Sequence, residues 1–221
     1  MNARDNHMAI EQAPTSQVSP RLFVFARHAE STANTAGVVS SDPRRSVALT
    51  HRGREQAREL GAQVAGLDIE LVVATRYQRT QETAALALAA RPVPVLIEPG
   101  LDELRAGDFD GSPLEDYWAW KANHTSADRF PNGESVDEAR IRYAAALWRL
   151  LSRTERVTLI IVHELALRSI AETATHSPFV PNAALGNAMP YLFETHTVMR
   201  AAGRLDKMAR PLAPDRGLAN P

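Results

Sequence analysis

The chain has 221 residues, 44% of them hydrophobic and 23% charged, with a net charge of −1 and no cysteine. That length suits a single α/β domain with a real core. The near-neutral balance excludes a global field for holding nucleic acid or an acidic membrane, and the lack of cysteine excludes disulfides, thiolate metal sites and the cysteine-based phosphatases.

Residues 1–20 are polar and read as a flexible N-terminal arm. They lack the apolar core of about 7–15 residues that a signal peptide carries, and no apolar run nears the roughly 18 residues of a membrane span. The expectation is a cytoplasmic protein. LFVFA (22–26) reads as a fully apolar strand of a parallel sheet. Thr50 is placed to cap a helix over 51–66, with Gly53, Ala57, Leu60, Gly61 and Val64 on one close-packing face. LVVA (71–74) is a second strand, followed by a helix over 76–90 that Pro92 stops, and PVLI (94–97) is a third.

Residues 98–134 are irregular, with several Gly and Pro and the aromatics Tyr117, Trp118 and Trp120, and read as a cap. Ser135 and Glu138 form an S-x-x-E capping box for a helix reaching about 153, with Ala144, Leu147, Trp148 and Leu151 on one face. VTLIIV (157–162) is the strongest strand; a helix over 164–175 and a last strand near 190–195 follow, and 201–221 read as a loose C-terminal tail. Strands alternating with helices predict one α/β domain over 21–200, a three-layer sandwich with a mainly parallel central sheet. In such sheets the ligand lies at the carboxyl ends of the strands.

Those ends carry a pattern. The first strand ends in Arg27-His28, and the second in Thr75-Arg76 with Arg79 one helical turn further on. The third leads toward Glu103, and the fourth ends at His163 with a helix immediately behind it. Taken singly, each has an ordinary explanation: a packing histidine, solvated arginines, a surface carboxylate. Together they converge on one sheet edge, where the planar fork of arginine and the N–H groups of a helix start both suit phosphate oxygens. The edge reads as a phosphate pocket.

Six segments, in order, resemble the histidine phosphatase superfamily, the phosphoglycerate mutase-like proteins. RHAESTAN (27–34) is similar to the family's R-H-G-E-x-x-x-N, LTHRGREQA (49–57) to L-T-x-x-G-x-x-Q-A, and ATRYQRTQETA (74–84) to S-x-x-x-R-x-x-x-T-A. LDELRAGDFDG (101–111) is similar to L-x-E-x-x-x-G-x-x-x-G, FPNGES (130–135) to P-x-G-E-S, and VHELALR (162–168) to S-H-G-x-x-x-R. The chain departs from the pattern at Ala29 and Glu164, where the family has glycine. Glu164 sets a carboxylate beside a pocket meant for phosphate.

The resemblance implies a phosphoglycerate mutase-like fold and a histidine acid phosphatase-type phosphoric monoester hydrolase. His28 would be the nucleophile, forming a phosphohistidine. Arg27, Arg79 and His163 would hold the equatorial oxygens, Asn34 would donate one further hydrogen bond, and Glu103 would act as general acid and then base. No metal or other cofactor is implied, since arginines supply the positive charge. The partner would be a small phosphorylated metabolite, and a monomer and a homodimer both stay open.

Mutases of the family carry long insertions between the acid and the second histidine. Glu103 and His163 lie only 60 positions apart (163 − 103), which favours hydrolysis. The rival from another class is a phospholigand-binding module with little turnover, Glu164 being the reason. A haloacid dehalogenase-type phosphatase would need D-x-D at a strand end, and the "DFDG" at 108–111 follows no readable strand. A metal-dependent phosphoesterase built on His28, Glu30 and His163 would want carboxylates clustered with the histidines, and the aspartates here are scattered.

Overall fold

The structure, a computed structural model, describes residues 21–89, 91–175 and 185–208. The expected arm (1–20) and the end of the expected tail (209–221) lie outside the described residues. In chain order the strands are β1 (Leu22–Arg27), β2 (Leu71–Ala74), β3 (Val95–Ile97), β4 (Val157–Val162) and β5 (Pro190–Glu194). The helices are α1 (Thr32–Ala36), α2 (His51–Gln63), α3 (Gln78–Ala87), α4 (Leu114–Ala122), α5 (Val136–Leu151), α6 (Glu164–Thr175) and α7 (Thr195–Met208). No helix among the described residues is long and apolar enough to cross a membrane.

The strands form one sheet in the order β3-β2-β4-β1-β5, parallel throughout except β5, which pairs antiparallel to β1. Strand side chains alternate between two faces, and both faces are apolar. Phe23 and Phe25 of β1, Val73 of β2 and Ile160 and Val162 of β4 pack on one side with α5, α6 and α7. Val24, Ala26, Val72, Ala74, Leu159 and Ile161 pack on the other with α2 and α3. This is the expected three-layer α/β sandwich, and burial on both faces is why these strands read as continuous apolar runs.

The connectivity fixes where a ligand can enter. β1 and β4 are neighbours, yet β1 leads to α2 on one face while β4 leads to α6 on the other. Adjacent strands that feed opposite faces open a crevice beyond their carboxyl ends. His28 and His163 are the first residues past those two ends.

Beyond shifts of two or three residues at the ends of α2 and α3, three assignments differ from expectation. Residues 201–208 belong to α7 rather than to a loose tail. Val198, Ala201, Ala202 and Leu205 fall at i, i+3, i+4 and i+7 and are fully buried against the sheet layer. The cap segment 98–134 is not wholly irregular, because it holds α4 and two short 3₁₀ turns. Residues 32–36 form the unforeseen α1, whose N-cap Ser31 and Asn34 exchange reciprocal capping bonds.

Candidate active site

The first histidine is held by its backbone and one ring nitrogen. The His28 N–H donates to the Val162 carbonyl of the neighbouring strand at 2.9 Å, and its carbonyl accepts from Asn187 Nδ2 at 2.7 Å. Nδ1 lies 2.8 Å from the Ala29 carbonyl. A carbonyl only accepts, so Nδ1 carries the ring proton and Nε2 keeps its lone pair. Arg79 Nε donates to that lone pair at 3.1 Å. Burial, then the charges of Arg79 and Arg27, push the imidazole well below its usual range, so His28 is neutral at pH 7.

Arg79 joins the two histidines. It is 4% exposed and donates through its two terminal nitrogens to Ser40 Oγ and the Ser40 carbonyl, both at 3.1 Å, and to His163 Nδ1 at 3.1 Å. Its guanidinium lies over the Tyr77 ring, 4.4 Å from the centroid. His163 is fully buried, its ring centroid 5.4 Å from that of His28. Its Nε2 lies 2.9 Å from Thr75 Oγ1. Because Arg79 donates to Nδ1, the proton sits on Nε2. When an oxyanion takes Arg79 away, the Thr75 hydroxyl can turn to donate to Nε2, freeing Nδ1 to carry the proton toward the anion. Burial and Arg79 also hold His163 well below its usual range.

Glu103 approaches from the cap. One of its oxygens accepts from the Leu104 N–H at 2.9 Å, and the other lies 3.9 Å from His163 Nδ1. Its side chain is 22% exposed, and burial raises its pKa against the opposing charges of Arg79 and Arg27. The segment carrying it is fixed from behind. Glu134 accepts from the Arg105 N–H at 3.0 Å and from Arg142 at 2.6 Å, while Arg142 donates to the carbonyls of Gly100, Asp102 and Glu103. A Cβ on Gly107, at φ +57°, would sit 2.0 Å from the Pro131 carbonyl oxygen, so the segments LDELRAG and PNGES must cross backbone to backbone.

The predicted residues therefore come together, with Arg76 as the one strand-end residue left out. Arg27, His28, Asn34, Arg79 and Glu103 line one cavity of about 310 Å³, with His163 directly behind. Asn34 lines it too, but its Oδ1 is spent on the Ser31 N–H and hydroxyl, which leaves its amide NH₂ as the donor. Arg76 does not join the pocket: it pairs with buried Asp102 at 2.6 Å and faces a separate groove with Arg44 and Arg45.

The two departures from glycine are accommodated. The Ala29 methyl is buried among Leu49, Ala57 and Val24, and its N–H donates to Thr83 Oγ1 at 3.0 Å. Glu164 lines the cavity, though not as a bare charge. It bridges Arg27 at 3.0 Å and Arg168 at 3.2 Å. The segment LTHRGREQA acts as a clamp. Thr50 hydrogen-bonds the Glu30 carboxylate at 2.6 Å and Gln56 accepts from the Glu30 N–H at 2.9 Å. A Cβ on Gly53 would lie 2.0 Å from the Glu30 carbonyl oxygen, so α2 can press onto the loop after His28 only there.

The cap aromatics divide their work. Trp120 packs on Phe130 and Phe109 with ring centroids 4.1 and 6.1 Å apart, and Tyr117 stacks on Phe130 at 5.1 Å. Tyr117 and Trp118 also line the cavity. Ser40, Thr75, Glu134, Arg142 and Asn187 had no role assigned from sequence. Glu134 belongs to the PNGES segment that resembles the family; for the others, only spatial proximity reveals them.

Comparison with known proteins identifies the family. Residues 23–195 match the histidine phosphatase superfamily, branch 1. A protein of Erwinia tasmaniensis named "Probable phosphoglycerate mutase GpmB" is 32% identical over 162 residues, 70% of this chain and 74% of that one. The adenosylcobalamin/alpha-ribazole phosphatase of Escherichia coli K12 is 36% identical over 108 residues, 45% of this chain and 52% of that one. The crystal structure of the alpha-ribazole phosphatase from Shigella flexneri superposes with a TM-score of 0.63 at 29% identity, covering 71% of this chain and 81% of that one. With the match running from β1 to the start of α7, the chain belongs to the histidine phosphatase superfamily.

Proposed function

We propose that the chain is a metal-independent phosphomonoester hydrolase acting through a phosphohistidine on a small phosphorylated metabolite. The observation that carries this is the buried guanidinium of Arg79 spanning the lone pair of neutral His28 and the ring of His163. An incoming phosphoryl group would take over those donors, placing its phosphorus against Nε2. The Nε2 lone pair would form the P–N bond as the P–O ester bond breaks, with Arg27, Arg79 and His163 holding the equatorial oxygens where charge spreads. Glu103, whose protonated form burial favours, would give its proton to the leaving oxygen. It would then take a proton from water as that water's oxygen attacks phosphorus and the P–N bond breaks, returning His28 and protonated Glu103 and releasing phosphate. Arginines supply the positive charge, so turnover of p-nitrophenyl phosphate is expected to survive EDTA. Loss of activity on chelation with recovery on adding a divalent ion would overturn the metal-independent reading.

The relatives include a protein named "Probable phosphoglycerate mutase GpmB", and a mutase reaction through a phosphohistidine would require that the intermediate be kept from water. Here the cap segment carries one α-helix of nine residues and two short 3₁₀ turns, and Glu103 retains a solvent-reachable carboxyl. Both favour hydrolysis. The pairing of Glu164 with Arg27 and Arg168 removes the bare negative charge that motivated the binding-module reading.

Two outcomes follow from the acid and from this pairing. Glu103→Gln is expected to slow hydrolysis of alkyl phosphates by about 10²–10⁴-fold and to spare p-nitrophenyl phosphate far more, because p-nitrophenolate leaves without a proton. The sign of the pH dependence follows from the two shifts. His28, pushed down, stays neutral as pH falls, while Glu103, pushed up, loses its proton only as pH rises beyond the ordinary carboxyl range. The kcat/KM for alkyl phosphates should therefore be highest on the acid side of neutrality and decline above it. Equal losses on both substrates, or an unchanged alkaline limb in the variant, would remove Glu103 from the acid role. Glu164→Gly frees Arg27 for the phosphoryl oxygens, and is expected to lower both the KM for p-nitrophenyl phosphate and the inhibition constant of inorganic phosphate by about three- to tenfold, as one partly exposed charge contact warrants. Weaker phosphate inhibition in the variant would show instead that Glu164 holds Arg27 in position.

A further inference from the structure

One wall of the cavity is a face of α4. Leu114, Tyr117, Trp118 and Lys121 recur at i, i+3, i+4 and i+7, and all four line it. Lys121 stands out among the cations there. Arg27 and Arg168 share Glu164, and Arg79 is spent on Ser40 and the histidines. The Lys121 ammonium has no carboxylate within 4.0 Å among the described residues. It lies over two rings instead, 5.0 Å from the centroid of Trp118 and 5.8 Å from that of Tyr117. Partial burial lowers its pKa, and Arg140 adds to this; Glu103 and Glu164 offset it only at longer range. A half-buried ammonium without a counter-ion is costly. It also lies in the cavity that holds Glu103, the group that must meet the leaving oxygen.

We propose that Lys121 is a specificity residue that pairs with a carboxylate on the leaving group, whose flat or apolar body rests on Tyr117 and Trp118. A single ammonium matches a monoanion, and its four-carbon stem lets the charge follow the substituent. This inference rests on the hydrolase reading, and its test separates the two.

The experiment compares 3- and 4-carboxyphenyl phosphate with the corresponding carbamoylphenyl phosphates, which have nearly the same shape without the charge. p-Nitrophenyl phosphate serves as reference, and wild type is set beside Lys121→Met and Lys121→Arg. The methionine variant is expected to lose about tenfold more kcat/KM on a carboxylate substrate than on its carboxamide partner or the reference, the scale of a hydrogen bond to a charged group. The loss should fall mainly on KM, and arginine should restore most of it. An equal loss across all substrates would overturn the assignment, as would the same carboxylate-to-carboxamide ratio in wild type and Lys121→Met. If wild type hydrolyses none of them, the hydrolase reading fails, and the same comparison is made on dissociation constants by calorimetry. A Lys121→Met effect confined to the carboxylate ligands would then uphold the lysine assignment, and its absence would end it.

Discussion

Replacing His28 with alanine is expected to lower kcat/KM for p-nitrophenyl phosphate by about 10⁴–10⁶-fold, the scale on which covalent catalysis collapses when its nucleophile is removed. The size follows from the geometry. His28 Nε2 carries the one imidazole lone pair in the cavity that the backbone itself makes available, through the Nδ1–H to Ala29 carbonyl bond. His163 is not expected to substitute, because its Nε2 faces Thr75 and its Nδ1, once an oxyanion draws Arg79 away, carries the proton toward that oxyanion. The fold should survive the change, since the His28 backbone bonds to Val162 and Asn187 remain. Steady-state kinetics on material with wild-type circular dichroism, with acid quenching to trap the phosphoenzyme, makes the check. Retention of more than about a tenth of the activity, or a phosphoenzyme in the variant, would place the nucleophile elsewhere.

Arg79→Ala is expected to cost about 10³–10⁵-fold in kcat/KM, as loss of a guanidinium that stabilises a transferring phosphoryl group does. Arg79→Lys should recover little, because one ammonium cannot reach Ser40 and both rings at once. A second readout is independent of turnover. After burial, Arg79 is the largest influence lowering both imidazoles. Removing a positive neighbour makes protonation easier, so the ring resonances of His28 and His163 should titrate at higher pH in Arg79→Ala than in wild type. Unmoved titrations would mean that burial alone sets the two histidines, and the electrostatic part of the site would need to be redrawn.

The parts legible in the sequence were those with a local physical cause. VTLIIV could only be a doubly buried strand, and it is β4 to the residue. The Ser135–Glu138 box predicted the start of α5, and both reciprocal bonds are present. What stayed hidden depended on tertiary partners. The five-residue α1 has too few turns to show a period. The spacing of Leu114, Tyr117, Trp118 and Lys121 was readable, yet Trp120 on another side of α4 blurred it, because that ring packs on Phe109 and Phe130. Arg76 and Arg79 looked alike as strand-end arginines. The family resemblance singles out Arg79, and the placement of Asp102 beneath Arg76 supplies the physical reason: Arg76 is committed to an ion pair. The residues of α7 carried a clean helical stripe, which the Pro- and Gly-rich residues beyond it disguised as tail.

The construction of the cap has a consequence for how such a protein can change. α4 rests on the rings of Phe109 and Phe130, themselves cap residues, while Arg27, His28 and His163 stand at the ends of β1 and β4 and Arg79 on α3. Under the proposed mechanism, phosphoryl binding and the choice of molecule are thus carried by separate pieces of chain, with Glu103 the one reacting group that the cap segment supplies. Substitutions at 114, 117, 118 and 121 could redirect the protein to a new ester without disturbing His28 or Arg79, so this architecture lets substrate repertoires diverge by small steps while the reaction itself stays fixed.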